Sequence, residues 1–284
     1  MLKILKGKKK RIVLVIFLIT LIILAVFFSF TPVSRFFHQP PKLEVDFLDV
    51  GQGDAELIKT PGGQVILIDG GPDNLVLRRL GENLPFYRRQ IDLMIFSHYH
   101  EDHVTGLVAI MKRYRVRKLL YADNGSDITA TAQILIDEAK AKAVPITLIN
   151  SQATLALSDN CALFLLNSVA LGVKVDPNNS LTVKLNCAGA KFLFSGDNSA
   201  TIEKALLKTG LDLRADVLKA SHHGSNSANS EAFLRAVNPK LLVISVGADN
   251  KFGHPSPLVL ERAASLNINV KRTDQDGSVK IFGP

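Results

Sequence analysis

The sequence predicts a layered α/β domain that follows a single apolar N-terminal helix. From Leu43 onward, short apolar runs typical of strands alternate with segments whose apolar residues recur at spacings of three and four, which is typical of helices. Strands and helices mixed at this density favour an α/β or α+β domain. The chain has 284 residues, of which 47% are hydrophobic, so it can bury a large core. No second domain boundary interrupts the pattern after Leu43.

The first element is an uncharged run from Ile12 to Phe30, which follows a basic segment at residues 1–11. As a helix this run would span about 28 Å, close to the bilayer hydrocarbon thickness of about 30 Å. The basic segment has no acidic residue, and positive charge stays on the cytoplasmic side. The sequence therefore predicts a single-pass protein of the cell membrane, with a cytoplasmic N-terminus and an extracytoplasmic domain. A cleavable signal peptide is the alternative, but its apolar region is normally shorter, about 7–15 residues.

Residues 31–42 contain three prolines and predict a short linker between the anchor at 12–30 and the domain at 43–284. The formal net charge is +8, but six cations precede residue 12, which leaves only +2 for residues 12–284. The basic character therefore comes mainly from the anchor, and net charge alone gives no support for nucleic-acid binding.

The strand predictions follow the apolar runs in order. They cover residues 43–48, 55–59, 65–69, 92–97, 117–121, 146–149, 154–158, 162–167, 181–187, 191–195, 216–219, 241–246, 268–272 and 278–282. The helix predictions cover residues 74–81, 104–113, 128–142, 199–208, 230–237 and 257–266. The strands between 154 and 195 have no intervening helix, which predicts antiparallel pairing there.

The two cysteines, Cys161 and Cys187, each lie in a predicted strand. Outside the cytoplasm they could form a disulfide, but two buried free thiols are an equally good interpretation. Their spacing is not that of a zinc finger, and neither is assigned a catalytic role.

The densest group of metal-capable side chains is the segment from Ser97 to His103. His98, His100, Asp102 and His103 follow directly on an apolar strand. Four such side chains in six residues cannot share one face of a helix or strand, so they indicate a loop at a strand end. Neutral imidazoles with a carboxylate are typical ligands of zinc. The sequence therefore predicts a metal site here rather than a merely polar loop.

Further polar residues come at the ends of other predicted strands. Asp69 ends one strand ahead of two glycines, and Asp197 ends another. His222 and His223 follow a third strand, and His254 precedes a helix. Each motif alone is weak, and Asp197 alone would be interpreted as a helix N-cap. Together they place six of the seven histidines at positions that can converge on one edge of a sheet sandwich.

These motifs resemble the metallo-β-lactamase superfamily, and most closely the C-terminal hydrolase domain of the ComEC competence DNA-channel proteins. The resemblance covers residues 43–284 and rests on the HxHxDH pattern together with a set of shorter motifs: Phe47–Ala55 (FLDVGQGDA), Asn179–Leu181 (NSL), Ser195–Asp197 (SGD), Lys219–Ser225 (KASHHGS), Gly253–Pro255 (GHP) and Arg272–Asp274 (RTD). It implies an αββα sandwich with a metal site along one edge of the paired sheets.

The resemblance also implies roles for the site residues. His98 and His100 would hold a first metal, and Asp102 and His103 a second. Asp197 would bridge the two metals, and His222 would complete the second site. His223 would be a nearby acid or substrate contact, although the two adjacent histidines could exchange roles. The predicted catalytic residues are Asp102, Asp197 and His223, and Asp69 is expected to lie behind the ligands.

One departure from the wider superfamily concerns the first metal. A further histidine is usual before the bridging aspartate, but residues 104–221 contain none, and Asn178, Asn179 and Ser180 occupy that region. The first metal is therefore expected to be weakly held, differently ligated or absent. The expected cofactor is one or two divalent ions, with manganese as plausible as zinc because amide and hydroxyl oxygens tolerate a harder ion.

The leading functional prediction is a membrane-anchored, metal-dependent hydrolase of phosphodiesters, with extracellular DNA as substrate and a separate DNA-channel protein as partner. The candidate substrate contacts are Gln52, Asp54, Asn179, Ser180, Ser225 and His254. Ser225 lies ahead of a predicted helix, whose N-terminus suits phosphate but is equally well explained as an ordinary cap. Two alternatives remain: a hydrolase of a small molecule (a lactone, a β-lactam or a cyclic nucleotide), and a catalytically silent binding module.

Overall fold

A computed structural model describes residues 14–26, 42–158 and 160–283. Residues 14–26 form a helix, α1, whose large apolar side chains are exposed. Within the described residues, no helix combines the length and the apolar character needed to cross a bilayer. The basic segment, both ends of the predicted anchor and the linker up to residue 41 lie outside the described residues. The anchor and its orientation therefore stay predictions.

Residues 42–284 form one compact unit that contains two seven-stranded sheets. The first sheet has the order β16-β1-β2-β3-β5-β7-β8. Its strands are β1 (Glu44–Phe47), β2 (Glu56–Lys59), β3 (Val65–Ile68), β5 (Leu93–Phe96), β7 (Leu119–Ala122), β8 (Ile146–Ile149) and β16 (Val279–Phe282). The three strands β3, β5 and β7 are parallel, so they end at one edge of the sheet.

The second sheet has the order β15-β14-β13-β12-β11-β10-β9. Its strands are β9 (Gln152–Ala156), β10 (Cys161–Asn167), β11 (Leu181–Cys187), β12 (Ala190–Phe194), β13 (Val217–Lys219), β14 (Leu241–Ile244) and β15 (Asn269–Arg272). The predicted antiparallel pairing is confirmed for β9 to β12, whereas β12 to β15 are parallel. Cys161 and Cys187 face each other on β10 and β11 and form a disulfide, which decides between the two interpretations of these cysteines.

Helices cover the outer faces of both sheets. Those on the first sheet are α2 (Leu75–Asn83), α3 (Glu101–Arg113) and α4 (Ala130–Ala141), and those on the second are α5 (Ala200–Lys208), α6 (Glu231–Val237) and α7 (Pro257–Ser265). A short helix, α8 (Thr273–Asp276), precedes the last strand. The inner faces of the two sheets pack against each other through residues such as Phe47, Ile95 and Phe194. The α/β fold with four layers is thus confirmed.

Each predicted strand and helix of residues 43–284 is present with bounds that shift by at most three residues. The structure adds elements that the periodicity did not indicate. These are the two-residue strands β4 (Gln90–Ile91) and β6 (Arg115–Val116), the helix α8, and 3-10 turns at Ser168–Leu171 and Ser221–Gly224. Elements this short contain too few residues for a periodic pattern to be visible.

Candidate metal centre

Strand ends from both sheets meet at one edge of the sandwich. Asp69 follows β3, His98 follows β5, Asp197 follows β12, and His222 and His223 follow β13. His100 is the N-cap of α3, and Asp102 and His103 lie in its first turn. The convergence predicted from the sequence is therefore present in the fold.

His98 is completely buried, and its two ring nitrogens have different surroundings. The Nδ1 atom lies 3.0 Å from Ser97 Oγ and 3.2 Å from Ser180 Oγ. The Ser97 hydroxyl donates to Asp69 Oδ2 at 2.7 Å, so its oxygen is left to accept from His98 Nδ1–H. That tautomer leaves the lone pair on Nε2, which is buried without a hydrogen-bond partner.

His103 has the same arrangement. Its Nδ1 atom lies 2.8 Å from Asp69 Oδ2, while its buried Nε2 has no hydrogen-bond partner. Asp69 also accepts from the Ser97 backbone N–H at 2.7 Å. One buried carboxylate therefore orients both histidines, the His103 ring directly and the His98 ring through the Ser97 hydroxyl. Asp69 thus lies behind the two rings, and the supporting role expected for it stays a prediction.

The two adjacent histidines after β13 both adopt left-handed backbone conformations, with φ of 49° at His222 and 52° at His223. Such conformations cost of order 1–3 kcal/mol each in a non-glycine residue and persist only where the surroundings fix them. Here Asn229 fixes the turn, because its side chain accepts from Ser221 N–H and donates to the carbonyls of Ser221 and Ser225. His223 Nδ1 donates to the Ser245 carbonyl at 2.9 Å, which leaves its Nε2 for the pocket.

Two groups of potential metal ligands share Asp197. Asp102, His103, Asp197 and His223 form one group, and His98, His100 and Asp197 form the other; within each group the ligand atoms all lie within 4.8 Å of one another. Asp197 Oδ1 lies 3.4 Å from His103 Nε2, and Oδ2 lies 3.8 Å from His98 Nε2. Each carboxylate oxygen thus faces one group, as a bridging ligand would require.

The unpartnered atoms test whether this pocket fits a divalent ion. His98 Nε2, His103 Nε2 and Asp197 Oδ1 are buried without a hydrogen bond and face the same space. Buried polar atoms normally have partners, because leaving one unpaired costs about 1–3 kcal/mol. Imidazole nitrogens and carboxylate oxygens left free in this way fit one or two divalent ions.

The electrostatics of the pocket also favour bound cations. Burial would raise the pKa of Asp197, but His223, His103 and His98 outweigh it and hold that pKa well below its usual range. Burial would lower the pKa of His223, but Asp197 and Asp54 raise it to about 10. The pKa of His103 is likewise raised, since Asp197 and Asp102 outweigh its burial. The carboxylates thus attract positive charge, which a proton or a metal ion can supply.

Beneath the histidines lies a second group of charged side chains, in which the sequence analysis gave no role to Lys219 or Glu56. Lys219 is only 1% exposed; its ammonium forms an ion pair with the buried Asp54 and donates to the Gly196 carbonyl at 3.3 Å. Asp54 Oδ1 lies 3.3 Å from His223 Nδ1. Burial, reinforced by Asp54, raises the pKa of the neighbouring Glu56 well above its usual value. Lys219 lies in a motif quoted for the resemblance, but only the fold reveals its partner.

Three of the predicted substrate contacts are buried and bonded within the fold, which disfavours direct contact with a substrate. Asp54 pairs with Lys219 below the site. Asn179 donates to the Lys174 carbonyl at 3.2 Å. Ser180 Oγ accepts from Asp197 N–H at 2.9 Å and approaches the Nδ1 side of His98, so it supports two ligands from behind.

The other predicted substrate contacts lie nearer the surface. Gln52 is half-buried and accepts from Gly247 N–H, and the largely buried Ser225 hydroxyl bonds to Ser227. The partly exposed His254 ring lies 5.7 Å from the His222 ring and 5.8 Å from Phe252, which it stacks against at 24°. These last three rings lead from the metal-ligand groups to the surface.

The positions of the two adjacent histidines differ from the first expectation, while their roles stay predictions. His223 completes the group with Asp102 and His103, where the sequence analysis placed His222. His222 remains partly exposed, with its Nε2 3.8 Å from Asp197 Oδ2. Both histidines lie in a left-handed turn after β13, where the alternation of side chains along a strand no longer applies.

Comparisons with known proteins identify the family of this chain. A family model described as the metallo-beta-lactamase superfamily matches residues 48–248. ComE operon protein 3 of Bacillus subtilis is 28% identical over 84% of this chain and 32% of its own length. Competence protein ComA of Neisseria gonorrhoeae is 26% identical over 82% of this chain and 31% of its own length. The chain thus spans about a third of the length of the curated relatives that it matches.

Among solved structures, the fold is similar to CmlA, a diiron beta-hydroxylase from Streptomyces venezuelae. The TM-score is 0.57 and the identity 15%, over 86% of this chain and 55% of CmlA. At this identity the likeness concerns the fold alone. The resemblance to competence proteins inferred from the motifs is confirmed by the curated relatives.

Proposed function

The chain belongs to the metallo-β-lactamase superfamily, and from that premise we propose that it is a metal-dependent phosphodiesterase that cleaves DNA. The observation that carries the proposal is the pair of ligand groups that share Asp197. A silent binding module with one structural metal needs only one group of ligands, and it needs no carboxylate shared by two groups. Paired sites are typical of enzymes that displace oxygen at phosphorus.

Each residue has a defined part in this proposal. Divalent ions held by the two groups would supply Lewis acidity toward a phosphoryl oxygen and activate water as the nucleophile. Asp102, His103 and His223 would hold the ion at the second position, and His98 and His100 would hold the ion at the first. Asp197 joins the two, and Asp69 keeps the His98 and His103 rings aimed at the pocket. Zinc and manganese both suit this donor set.

His222 is our candidate for the proton donor to the leaving oxygen. Its Nε2 is 3.8 Å from Asp197 Oδ2, and its side chain is 27% exposed, so a substrate can reach it. His223 Nε2 is equally close to Asp197, at 3.7 Å from Oδ1, but the ring is buried and its Nε2 is 3.2 Å from Asp102 Oδ2, so a substrate cannot reach it. Proton transfer needs a group within hydrogen-bond reach of the reacting oxygen, which favours the exposed ring.

Two observations support DNA as the substrate. The curated relatives are competence proteins, and about a third of each relative matches most of this chain. In addition, Phe252 is 69% exposed beside His254 and offers an aromatic face close to the site. Exposed aromatic rings of this kind stack on unpaired bases.

The proposed setting is the outer face of the cell membrane, with residues 12–30 as the anchor. One span cannot itself conduct DNA, so a separate channel protein would take up or supply the DNA. This placement is supported by the uncharged N-terminal run and by the basic residues before it.

The test is DNA cleavage by the full chain with manganese or zinc, against a chelator control. Asp102→Ala should reduce cleavage by at least about a hundredfold, because it removes a ligand of the second group. The matched control is Glu101→Ala, since Glu101 is an exposed carboxylate in the same helical turn. Retained cleavage in Asp102→Ala would refute the assigned site. An absence of cleavage with either metal would favour a small-molecule substrate or a silent module.

A further inference from the structure

The strongest surface feature outside the metal centre is a basic ribbon formed by residues 86–92 and 112–118. The parallel strands β4 and β6 bring the two segments together, with Gln90 opposite Arg115 and Ile91 opposite Val116. Arg115 N–H donates to the Arg89 carbonyl at 2.9 Å. Two short segments that are distant in the sequence therefore form one continuous surface.

Positive charge is concentrated in this ribbon. Its two segments carry seven cations and one carboxylate: Arg88, Arg89, Lys112, Arg113, Arg115, Arg117, Lys118 and Asp92. Residues 12–284 have a net charge of only +2, so the rest of that region is net negative. Asp92 lies 2.7 Å from Arg88 and 3.9 Å from Arg117, and Glu138 lies 3.8 Å from Lys112, so these two carboxylates can balance only two of the seven cations. The near-neutral total thus conceals a strongly polarised domain.

Two exposed aromatic side chains border the cations. Phe86 is 86% exposed and Tyr87 is 73% exposed, and their rings meet edge to face with centroids 5.4 Å apart. On the same ribbon, the Arg89 guanidinium lies 5.7 Å from the centre of the Tyr114 ring. Aromatic rings beside arginines are typical of segments that lie in the interface of an anionic bilayer.

The ribbon lies at the end of the domain opposite the metal centre. Its segments come directly before β5 and β7, whereas His98 follows the far end of β5. Strand β1 is antiparallel to β2, which is antiparallel to β3, so β1 runs parallel to β5. The chain therefore enters the domain at Lys42, at the ribbon end of the first sheet.

Contacts across the first sheet show that the ribbon lies near the point where the chain enters the domain. Glu44, at the start of β1, pairs with Lys59 at 2.8 Å, and Lys59 faces Val65. Val65 N–H donates to Asp92, which also binds Arg88. With strands about 4.8 Å apart, β1 and β5 are separated by about 15 Å.

We propose that the ribbon binds the anionic phospholipid surface of the membrane that holds the N-terminal anchor, so that the metal centre faces away from that membrane. The inference rests on the anchoring in the proposed function. An anionic bilayer is favoured over nucleic acid because the ribbon is at the end of the domain where Lys42 enters and is opposite the metal centre. Each cation near such a surface adds to the attraction, so several of them together can orient a tethered domain.

The experiment uses the full chain in vesicles of phosphatidylcholine, with or without phosphatidylglycerol at about a third of the lipid, which supplies the anionic surface. A fluorophore on Tyr87→Cys reports the ribbon, and a fluorophore on Phe252→Cys reports the metal-centre end as the matched control. Nitroxide-labelled lipids then quench any probe that touches the bilayer. The test variant reverses three exposed charges, Arg113→Glu, Arg115→Glu and Arg117→Glu, and its comparison variant reverses the exposed Lys204 and Lys208 of α5.

We expect quenching at position 87 that is at least about threefold stronger with phosphatidylglycerol, is lost in the ribbon variant and persists in the α5 variant. Position 252 should remain unquenched. Equal quenching at both positions, or none at position 87, would overturn the proposal. It would also be overturned if the ribbon variant lost affinity for a DNA oligonucleotide while its lipid contact was unchanged.

Flotation of the same vesicles distinguishes a missing anchor from a missing ribbon contact. A chain with an anchor but no ribbon contact floats with both kinds of vesicle and shows no quenching at position 87. A chain with a ribbon contact but no anchor floats only with phosphatidylglycerol, and high salt releases it.

Discussion

Replacing Lys219 by methionine tests whether the buried ion pair supports the metal centre. The change keeps a side chain of similar length but removes the ammonium that pairs with Asp54. Both groups are 1% exposed, so Asp54 would be left as a buried carboxylate facing His223 at 3.3 Å. Removing one partner of a buried pair typically costs about 3–5 kcal/mol.

For a folded unit of this size, each 1 kcal/mol corresponds to about 2–4 °C in Tm. We therefore expect Lys219→Met to lower the Tm by about 6–20 °C. The assay is thermal unfolding with a chelator present, so that metal binding contributes nothing to the difference. The matched control is Lys240→Met, because Lys240 pairs with Asp216 at 3.0 Å on the surface and its side chain is 83% exposed. Such surface pairs contribute at most about 1 kcal/mol.

A second variant separates charge from packing. Lys219→Met combined with Asp54→Asn removes both charges and should recover at least half of the lost stability, because no uncompensated carboxylate remains. The reasoning would be refuted if Lys219→Met behaved like Lys240→Met. It would also be refuted if the double variant were less stable than the single one.

Four other changes each test a single contact of the fold or the site. Asp69→Asn should weaken manganese binding by about 10–100-fold in calorimetry, since it removes the carboxylate that orients two ligands; unchanged affinity would contradict that role. Ser180→Ala should weaken binding by about tenfold, because its hydroxyl supports Asp197 N–H, and an effect on folding without one on affinity would contradict this. Glu56 has a pKa raised well above its ordinary value of 4.5 by burial, so the folded state keeps its proton longer and stability should fall as pH rises above about 4.5. Glu56→Gln should reduce the fall of the unfolding free energy with pH, measured by urea unfolding between about pH 5 and 8. An unchanged pH dependence would count against this role of Glu56. Reducing the disulfide between residues 161 and 187 should cost about 3.5 kcal/mol, given their separation of 26 residues, as measured by unfolding with and without dithiothreitol.

The sequence predicted those features that depend on local pattern. Each of three strand ends is followed by a polar residue, and that pattern suffices to place Asp69, His98 and Asp197 at the shared edge. The order of strands and helices in residues 43–284 also followed from periodicity, because the elements are long enough for apolar spacing to be visible.

Features that depend on contacts between distant segments were not predictable in this way. The left-handed conformations of His222 and His223 decide which ring joins Asp102, and side-chain bonds from Asn229 fix them. The partner of Lys219 is 165 residues away in the other half of the chain. The basic ribbon forms only because β4 pairs with β6, and the net charge of the chain conceals it.

The measurement that tests the central claim most directly is the rate of DNA cleavage as a function of divalent metal bound per chain. The purified full chain is stripped with a chelator and titrated with manganese, while bound metal and cleavage are followed in the same samples. We expect cleavage to rise with occupancy, and Asp197→Ala to lose both metal and cleavage, because that carboxylate faces both ligand groups. Cleavage by the stripped chain, or a filled site that leaves DNA intact, would contradict the account.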